Sequence, residues 1–239
     1  MENAHIVKSF DAELNRLSNV IAEMGGLAES QLADAVLALT RRDEALATSV
    51  ILQDRQMDTL EASVDTHALR MLALRQPQAV DLRAIVAALR ISAEFERIGD
   101  YAKNLAKRSL TLLEAAPIGS AAMTIERMSK IVGSMISNVI DAYVTRDMAK
   151  ADDVRARDAE VDAIHTSLFR ELLTYMMEDP RNITSCTHLL FIAKNIERMG
   201  DHTTNIAEQV HFMVAGEVLG HDRPKEDLSS STIFKPEDK

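Results

Sequence analysis

Two phrases in the chain set carboxylates at a spacing that can hold a cation: ERIGDYAKN at 96–104 and ERMGDHTTN at 197–205. Each has a glutamate and an aspartate four apart, Glu96 with Asp100 and Glu197 with Asp201. Gly99 and Gly200 precede the aspartates, and Asn104 and Asn205 follow them by four. On an α-helix, residues four apart share a face with Cβ atoms ~6 Å apart, so each pair points one way. Asp54 with Asp58, and Asp158 with Asp162, repeat the spacing upstream. If antiparallel neighbours bring Asp54 and Asp58 beside Glu96 and Asp100, four carboxylates meet and repel. Protonation or a bound cation relieves that repulsion. Clusters of carboxylate oxygen suit Mg, Mn, Ca or iron. The expectation is one metal site per half of the chain: Asp54, Asp58, Glu96 and Asp100, then Asp158, Asp162, Glu197 and Asp201. The competing reading is a set of ordinary solvated acids on helix surfaces. The glycines sharpen the choice. Mid-helix glycine costs ~1 kcal/mol against alanine, so its use twice points to close approach by another backbone or a ligand, the alternative being an ancestral accident copied with the repeat.

The elements that must carry these residues are helices. Among 239 residues there are only 8 Gly and 5 Pro, no Trp and 4% aromatics, while 46% are hydrophobic. That composition favours an all-α fold over a β-sandwich. The prolines and helix-starting aspartates Asp43, Asp147 and Asp179 divide the chain into six predicted helices over 6–41, 44–75, 78–115, 120–146, 148–178 and 181–215. Within the second, Leu46, Val50, Met57, Leu60, Val64, Ala68 and Met71 recur at helical spacing. Short connections make sequence neighbours antiparallel.

The halves match in order. Arg42, Asp43, Asp54 and Asp58 map to Arg146, Asp147, Asp158 and Asp162 at one constant offset, and Pro77 maps to Pro180 and Glu96 to Glu197 with a slightly shorter one. This is an internal duplication. It predicts two tandem pseudo-symmetric three-helix bundles, 1–116 and 117–217, followed by a polar, flexible tail at 218–239. Arg42 and Arg146 are readable either as exposed contacts or as helix-end charges.

The formal net charge of −10 and pI near 5.2 argue against non-specific nucleic-acid binding and against an anionic membrane surface. Cys186 is the sole cysteine, so no intrachain disulfide forms, which fits a reducing compartment. No secretory signal is visible and the longest apolar runs are too short to span a bilayer. The expectation is a soluble cytoplasmic protein without membrane insertion. The remaining chemistry-bearing residues are weaker candidates. Glu208 and His211 form the Glu-x-x-His phrase of di-iron bundles, which needs a second copy, and Asp162-x-x-His165 is a poor one. His202 points away from Glu197 and Asp201 and reads as a surface or neighbour-helix hydrogen-bonder. Cys186 reads as a small helix residue without an activating partner. Met24, Met57, Met71 and Met199 read as core fillers.

Two long segments, ALRQPQAVDLRAIVAALRISAEFERIGDYAKNLAKR at 73–108 and HLLFIAKNIERMGDHTTNIAEQV at 188–210, resemble the PhoU family of accessory regulators of bacterial phosphate uptake. The resemblance implies two tandem three-helix bundles in a cytoplasmic, often dimeric protein that is not an enzyme. It implies a negative regulator of the phosphate regulon in phosphate plenty, linking the ATPase subunit of the phosphate ABC transporter to a phosphate-sensing histidine kinase. It also implies metal binding through acid-x-x-x-acid pairs, which carry over to Asp54, Asp58, Glu96, Asp100, Asp158, Asp162, Glu197 and Asp201, with Mg, Mn, Fe or Zn as the candidate ions. Two alternatives stand beside it. One is a carboxylate-bridged metalloenzyme in a helical bundle, and the other a metal-free helical interaction scaffold.

Overall fold

Aspartate side chains open the equivalent helices of the two halves. Asp43 accepts a hydrogen bond from the Leu46 backbone N–H at 2.9 Å, and Asp147 from that of Lys150 at 3.1 Å. Each thereby satisfies one of the donors that a helix start leaves unpaired. Asp179 does the same for Arg181 ahead of the last helix. The computed structural model describes residues 2–217. The helices are α1 (Glu2–Arg41), α2 (Glu44–Arg75), α3 (Ala79–Thr111), α4 (Ala121–Thr145), α5 (Met148–Glu178) and α6 (Ile183–Ala215). The third ends earlier than its periodicity suggests, tightening into a 3-10 turn at Leu112–Glu114 before the linker, and α6 is preceded by another at Pro180–Asn182. There is no strand among the described residues. The tail expected at 218–239 lies outside them.

The duplication is visible in what each helix buries. The buried positions of α1 include Leu17, Ile21, Met24, Ala28, Gln31, Leu32, Ala35 and Ala38. At the offset of the Asp43–Asp147 pair, these fall on Ala121, Ile125, Met128, Val132, Met135, Ile136, Val139 and Ala142 of α4, all buried as well. Only Gln31 is polar in the one where its counterpart Met135 is apolar. The methionines expected in the core, Met24, Met57, Met71 and Met199, are all buried.

The two three-helix units pack into one body along two seams. At the first, α3 runs antiparallel to α6. Arg90 donates to Gln209 at 3.1 Å, Glu94 accepts from Asn205 at 3.1 Å and meets His202 at 2.5 Å, and the Tyr101 and His202 rings lie 5.5 Å apart. At the far end the Arg108 guanidinium covers the Phe191 ring at 4.2 Å, a cation–π contact. Of the two readings of His202, surface or neighbour-helix hydrogen-bonder, the structure selects the second. At the second seam α1 meets α4, and a Cβ on Gly25 would stand 2.4 Å from Ile140 of α4 and 3.0 Å from Phe95 of α3.

Arg42 and Arg146 both adopt left-handed backbone, at φ 58° and 57°. Arg42 is more than a helix-end charge or a free contact. Its guanidinium donates to the carbonyl oxygens of Ala115 at 2.9 Å, of Leu112 at 3.3 Å and of Leu113. It ties the end of α1 to the linker between the units.

Glycine at 25 is what lets three helices converge. Alanine there gains up to ~1 kcal/mol of helix propensity but overpacks the junction, which costs about 1–3 kcal/mol. Gly25→Ala is expected to lower stability by about 1 kcal/mol, read as a lower urea midpoint at unchanged slope. An unchanged or raised midpoint contradicts this packing.

Candidate functional site

In the first unit α2 and α3 lie side by side, and their acids share one flank. Asp54 sits on the α2 face that also buries Val50 and Met57, and its own residue is buried. Asp58, one turn on, is exposed, and Glu61 is half-buried. From α3, Glu96 and Asp100 are half-buried, on the side away from the stripe of Ile91, Phe95, Ile98, Ala102 and Leu105, all of which are in the core.

A residue that acid counting passes over joins the two helices. The Lys103 ammonium donates to Asp54 Oδ2 at 2.5 Å and to Asp100 Oδ1 at 3.3 Å. Lys103 is three residues after Asp100, which on a helix puts it on the same face, so the signal was present in the phrase ERIGDYAKN. The hydrogen bond to Asp54 holds its ammonium above the ordinary lysine range against the opposing effect of burial, with Asp100 adding to it. Charge-assisted bonds of this kind are roughly twice as strong as neutral ones.

Lys103 leaves the rest of the face unbalanced. Burial pushes the Glu96 carboxyl up, and the charges of Asp100, Glu61 and Asp58 push it further, with Arg97 alone pulling the other way. Glu61 is raised by burial, then by Asp65 and Asp58. The structure therefore brings Asp54, Asp58, Glu96 and Asp100 to one face, as their spacing predicts, and extends it by Glu61 and Asp65.

The second unit repeats the frame with different burial. Asp158, Asp162 and Glu197 are 2%, 3% and 5% exposed, far from the solvated acids of the competing reading, while Asp201 is half-buried. Lys194 donates to Glu197 Oε1 at 2.8 Å. His165, 3% exposed, occupies on α5 the position that Glu61 occupies on α2 by the repeat offset. It is a member of this face that the sequence reading set aside; the repeat register was the signal for it. Thr204 stands where Lys103 does, and Lys194 where Ala93 does, so each unit brings its lysine from the opposite side of its acid pair.

The two glycines are explained by side chains rather than by backbone or ligand. A Cβ at Gly99 would lie 3.2 Å from the Gln31 Oε1 and 3.3 Å from Met57. At Gly200 it would lie 3.1 Å from Asp158 Oδ1. Gly200 thus lets a carboxylate of α5 lie against α6.

Other candidates have partners of their own. His211 Nε2 lies 3.0 Å from Asp152, and Glu208 lies 3.9 Å from Arg155, so Glu208 and His211 engage different residues of α5. Cys186 is fully buried, and burial pushes its thiol up, away from reactivity. A cavity of about 110 Å³ opens under the linker, walled by Leu39, Leu112, Ile118 and Leu189 with Ser109 and Ser185. It lies apart from the carboxylate faces.

No three or more His, Cys, Asp or Glu side chains among the described residues stand converged on a metal position. The donor chemistry nevertheless fits a cation. The Lys103 ammonium lies 2.5 Å from Asp54 Oδ2 and 3.3 Å from Asp100 Oδ1, so oxygens of α2 and α3 are within reach of one positive charge. In the first unit Asp54 and Asp100, with Glu96 and Asp58 beside them, are the residues that would hold a metal there.

The sequence model of the PhoU domain matches residues 21–109 and again 125–210, one match per three-helix unit. The chain is 53% identical over 226 residues to a phosphate-specific transport system accessory protein PhoU homolog of Caulobacter vibrioides, covering 95% of this chain and 98% of that one. It is 49% identical over 231 residues to the protein of the same name in Rhizobium meliloti, covering 97% and 98%. The crystal structure of PhoU from Pseudomonas aeruginosa superposes with a TM-score of 0.84 at 38% identity, covering 87% of this chain and all of that one.

A carboxyl raised in the folded state binds more protons there than in the unfolded chain. Its repulsion therefore weighs on the fold at neutral pH and eases as pH falls toward the ordinary glutamate range. Glu96→Gln is expected to raise the urea midpoint at pH 7, with the gain shrinking as the pH approaches ~4.3. A gain that grows on acidification contradicts the crowding of Glu96 by Asp100, Glu61 and Asp58.

Proposed function

The chain belongs to the PhoU family, and we propose that it is a non-enzymatic negative regulator of phosphate homeostasis. In this reading it works in the cytoplasm when phosphate is abundant. It links the ATPase subunit of a phosphate ABC transporter to a phosphate-sensing histidine kinase, restraining both uptake and regulon signalling. The observation that carries the proposal is end-to-end similarity to accessory proteins of phosphate transport, in which both carboxylate-bearing units are matched. No helix among the described residues is long and apolar enough to cross a membrane, which accords with a protein that meets the transporter from outside the bilayer. A homodimer is part of the proposal.

The carboxylate faces give the regulator a chemical handle. Metal ions held at Asp54, Asp58, Glu96 and Asp100, and at Asp158, Asp162, Glu197 and Asp201, would supply positive charge on an otherwise acidic surface. A cation in that position can bridge acidic protein to phosphate or to a carboxylate of a partner. The candidate ions are divalent or trivalent: Mg, Mn, Fe or Zn. The oxygen-only set of the first unit favours Mg or Mn, and the imidazole of His165 shifts the second toward Fe or Zn.

A second reading, the metal-free interaction scaffold, draws on one specific observation: in each unit a lysine already neutralises one of the carboxylates. The two readings part on mutation of the acids.

Deletion of the gene is expected to give alkaline phosphatase expression in high phosphate, restored to repression by the intact chain; repression that survives deletion sinks the regulatory proposal. Asp100→Ala combined with Asp201→Ala is expected to restore repression poorly while leaving helix content by circular dichroism unchanged. Full restoration by that double variant leaves the metal-free scaffold standing in its place.

A further inference from the structure

We propose that Lys103 is a built-in cation which a metal must displace, so that the first carboxylate face alternates between a lysine-closed and a metal-bridged state. The inference rests on the reading of that face as a metal site and adds a regulation to it.

The argument is one of shared ligands. The Lys103 ammonium lies 2.5 Å from Asp54 Oδ2 and 3.3 Å from Asp100 Oδ1. These oxygens come from different helices, and they are the donors that a cation bridging α2 to α3 would use. An ammonium and a metal ion cannot occupy one position between two carboxylates a few ångströms apart, both because their volumes exclude each other and because like charges repel. The face as it stands also explains why no three acids converge. Asp54 and Asp100 are turned to the lysine, while Glu96, Asp58 and Glu61 remain crowded beside it, with Arg97 meeting Glu96 only at 3.8 Å.

Lys103 has somewhere to go. Its side chain is 26% exposed, and a lysine carries its charge on a flexible four-carbon stem that places the ammonium in water as readily as against protein. Asp54, by contrast, has a side chain only 9% exposed, so its carboxylate stays in place when the lysine leaves and is poorly served by solvent. A divalent ion arriving there gains Asp54 and Asp100 and the relief of repulsion at Glu96 and Asp58. Against that it loses the charge-assisted bonds of Lys103. The result is a site whose affinity is set by competition within the chain, and whose occupation exposes a lysine ammonium on the surface beside α3. In the second unit Thr204 holds the corresponding position and Lys194 meets Glu197 from the other side, so a lysine bridging the second and third helices in this way is a feature of the first unit.

The test compares the full chain with Lys103→Met, which keeps the apolar stem and removes the charge, by calorimetric titration with Mn²⁺. Removing charge-assisted bonds that oppose the metal is expected to tighten Mn²⁺ binding at the first unit by at least about tenfold. The second measurement uses the unaltered protein. Amine-reactive labelling of Lys103, read by peptide mass spectrometry, is expected to rise severalfold when Mn²⁺ is added, with lysines remote from the face unchanged. Equal Mn²⁺ affinities together with unchanged labelling overturn the displacement and leave the metal site standing. No Mn²⁺ binding by either protein overturns both. If Lys103→Met does not fold, the labelling experiment decides alone: Mn²⁺ binding without a rise in Lys103 reactivity refutes the competition.

Discussion

Everything in this molecule is arranged around two helices that are buried on more than one side. The third helix of each unit packs against its own two partners and also against its counterpart in the other unit. In α3 the buried positions include Ala84, Ala87, Ala88, Ile91, Phe95, Ile98, Ala102, Leu105 and Ala106, more than a single amphipathic stripe supplies. Small residues dominate, because alanine lets helices approach closely where leucine would hold them apart. The consequence for function is geometric. With so much of α3 and α6 in the core, only a narrow flank remains for the paired acids beside the second helix of their unit, half-buried in the first unit and largely enclosed in the second.

That confinement sets the electrostatics. A carboxylate on an open surface is cheaply solvated, but Asp54, Asp158, Asp162 and Glu197 are all under a tenth exposed, and buried charge is costly unless paired. Lysines meet part of the need, Lys103 at Asp54 and Asp100 and Lys194 at Glu197. In the first unit the supply of positive charge falls short. Glu96 and Glu61 keep raised carboxyls, the mark of acids crowded together in a half-desolvated place.

Duplication supplied two copies of the frame, and the copies have diverged around the acid pairs. Most buried apolar positions of α1 fall on buried apolar positions of α4, because a core tolerates little change in volume or polarity. The acids at the repeated positions are also kept. Around them, Glu61 is answered by His165, Lys103 by Thr204 and Ala93 by Lys194. One face is oxygen-only and partly open; the other is enclosed and includes an imidazole. Gln31, buried beside Gly99 where the second unit has Met135, shows the same divergence reaching into the core next to the first face.

The sequence by itself determined the helices, the duplication and the identity of the acid pairs. Those properties are local or periodic: an aspartate caps the helix that follows it, apolar residues at 3.6 spacing choose a face, and a repeat offset needs no coordinates. It also turned His202 away from the Glu197 and Asp201 face, since azimuth on a helix follows from residue number alone; that a neighbouring helix rather than solvent receives it came from the packing. The tertiary structure alone decided what the acids meet. That Lys103 rather than another carboxylate bridges Asp54 to Asp100 depends on how far α2 and α3 stand apart and how they are rotated. Burial of Asp158 and Glu197 depends on α6 being enclosed by α3, α4 and α5. The role of Arg42 depends on the linker returning to the end of α1, and the purpose of Gly99 and Gly200 on which side chains lie across them. Distances between elements remote in sequence come from the packing of all six helices at once, and no local pattern carries them.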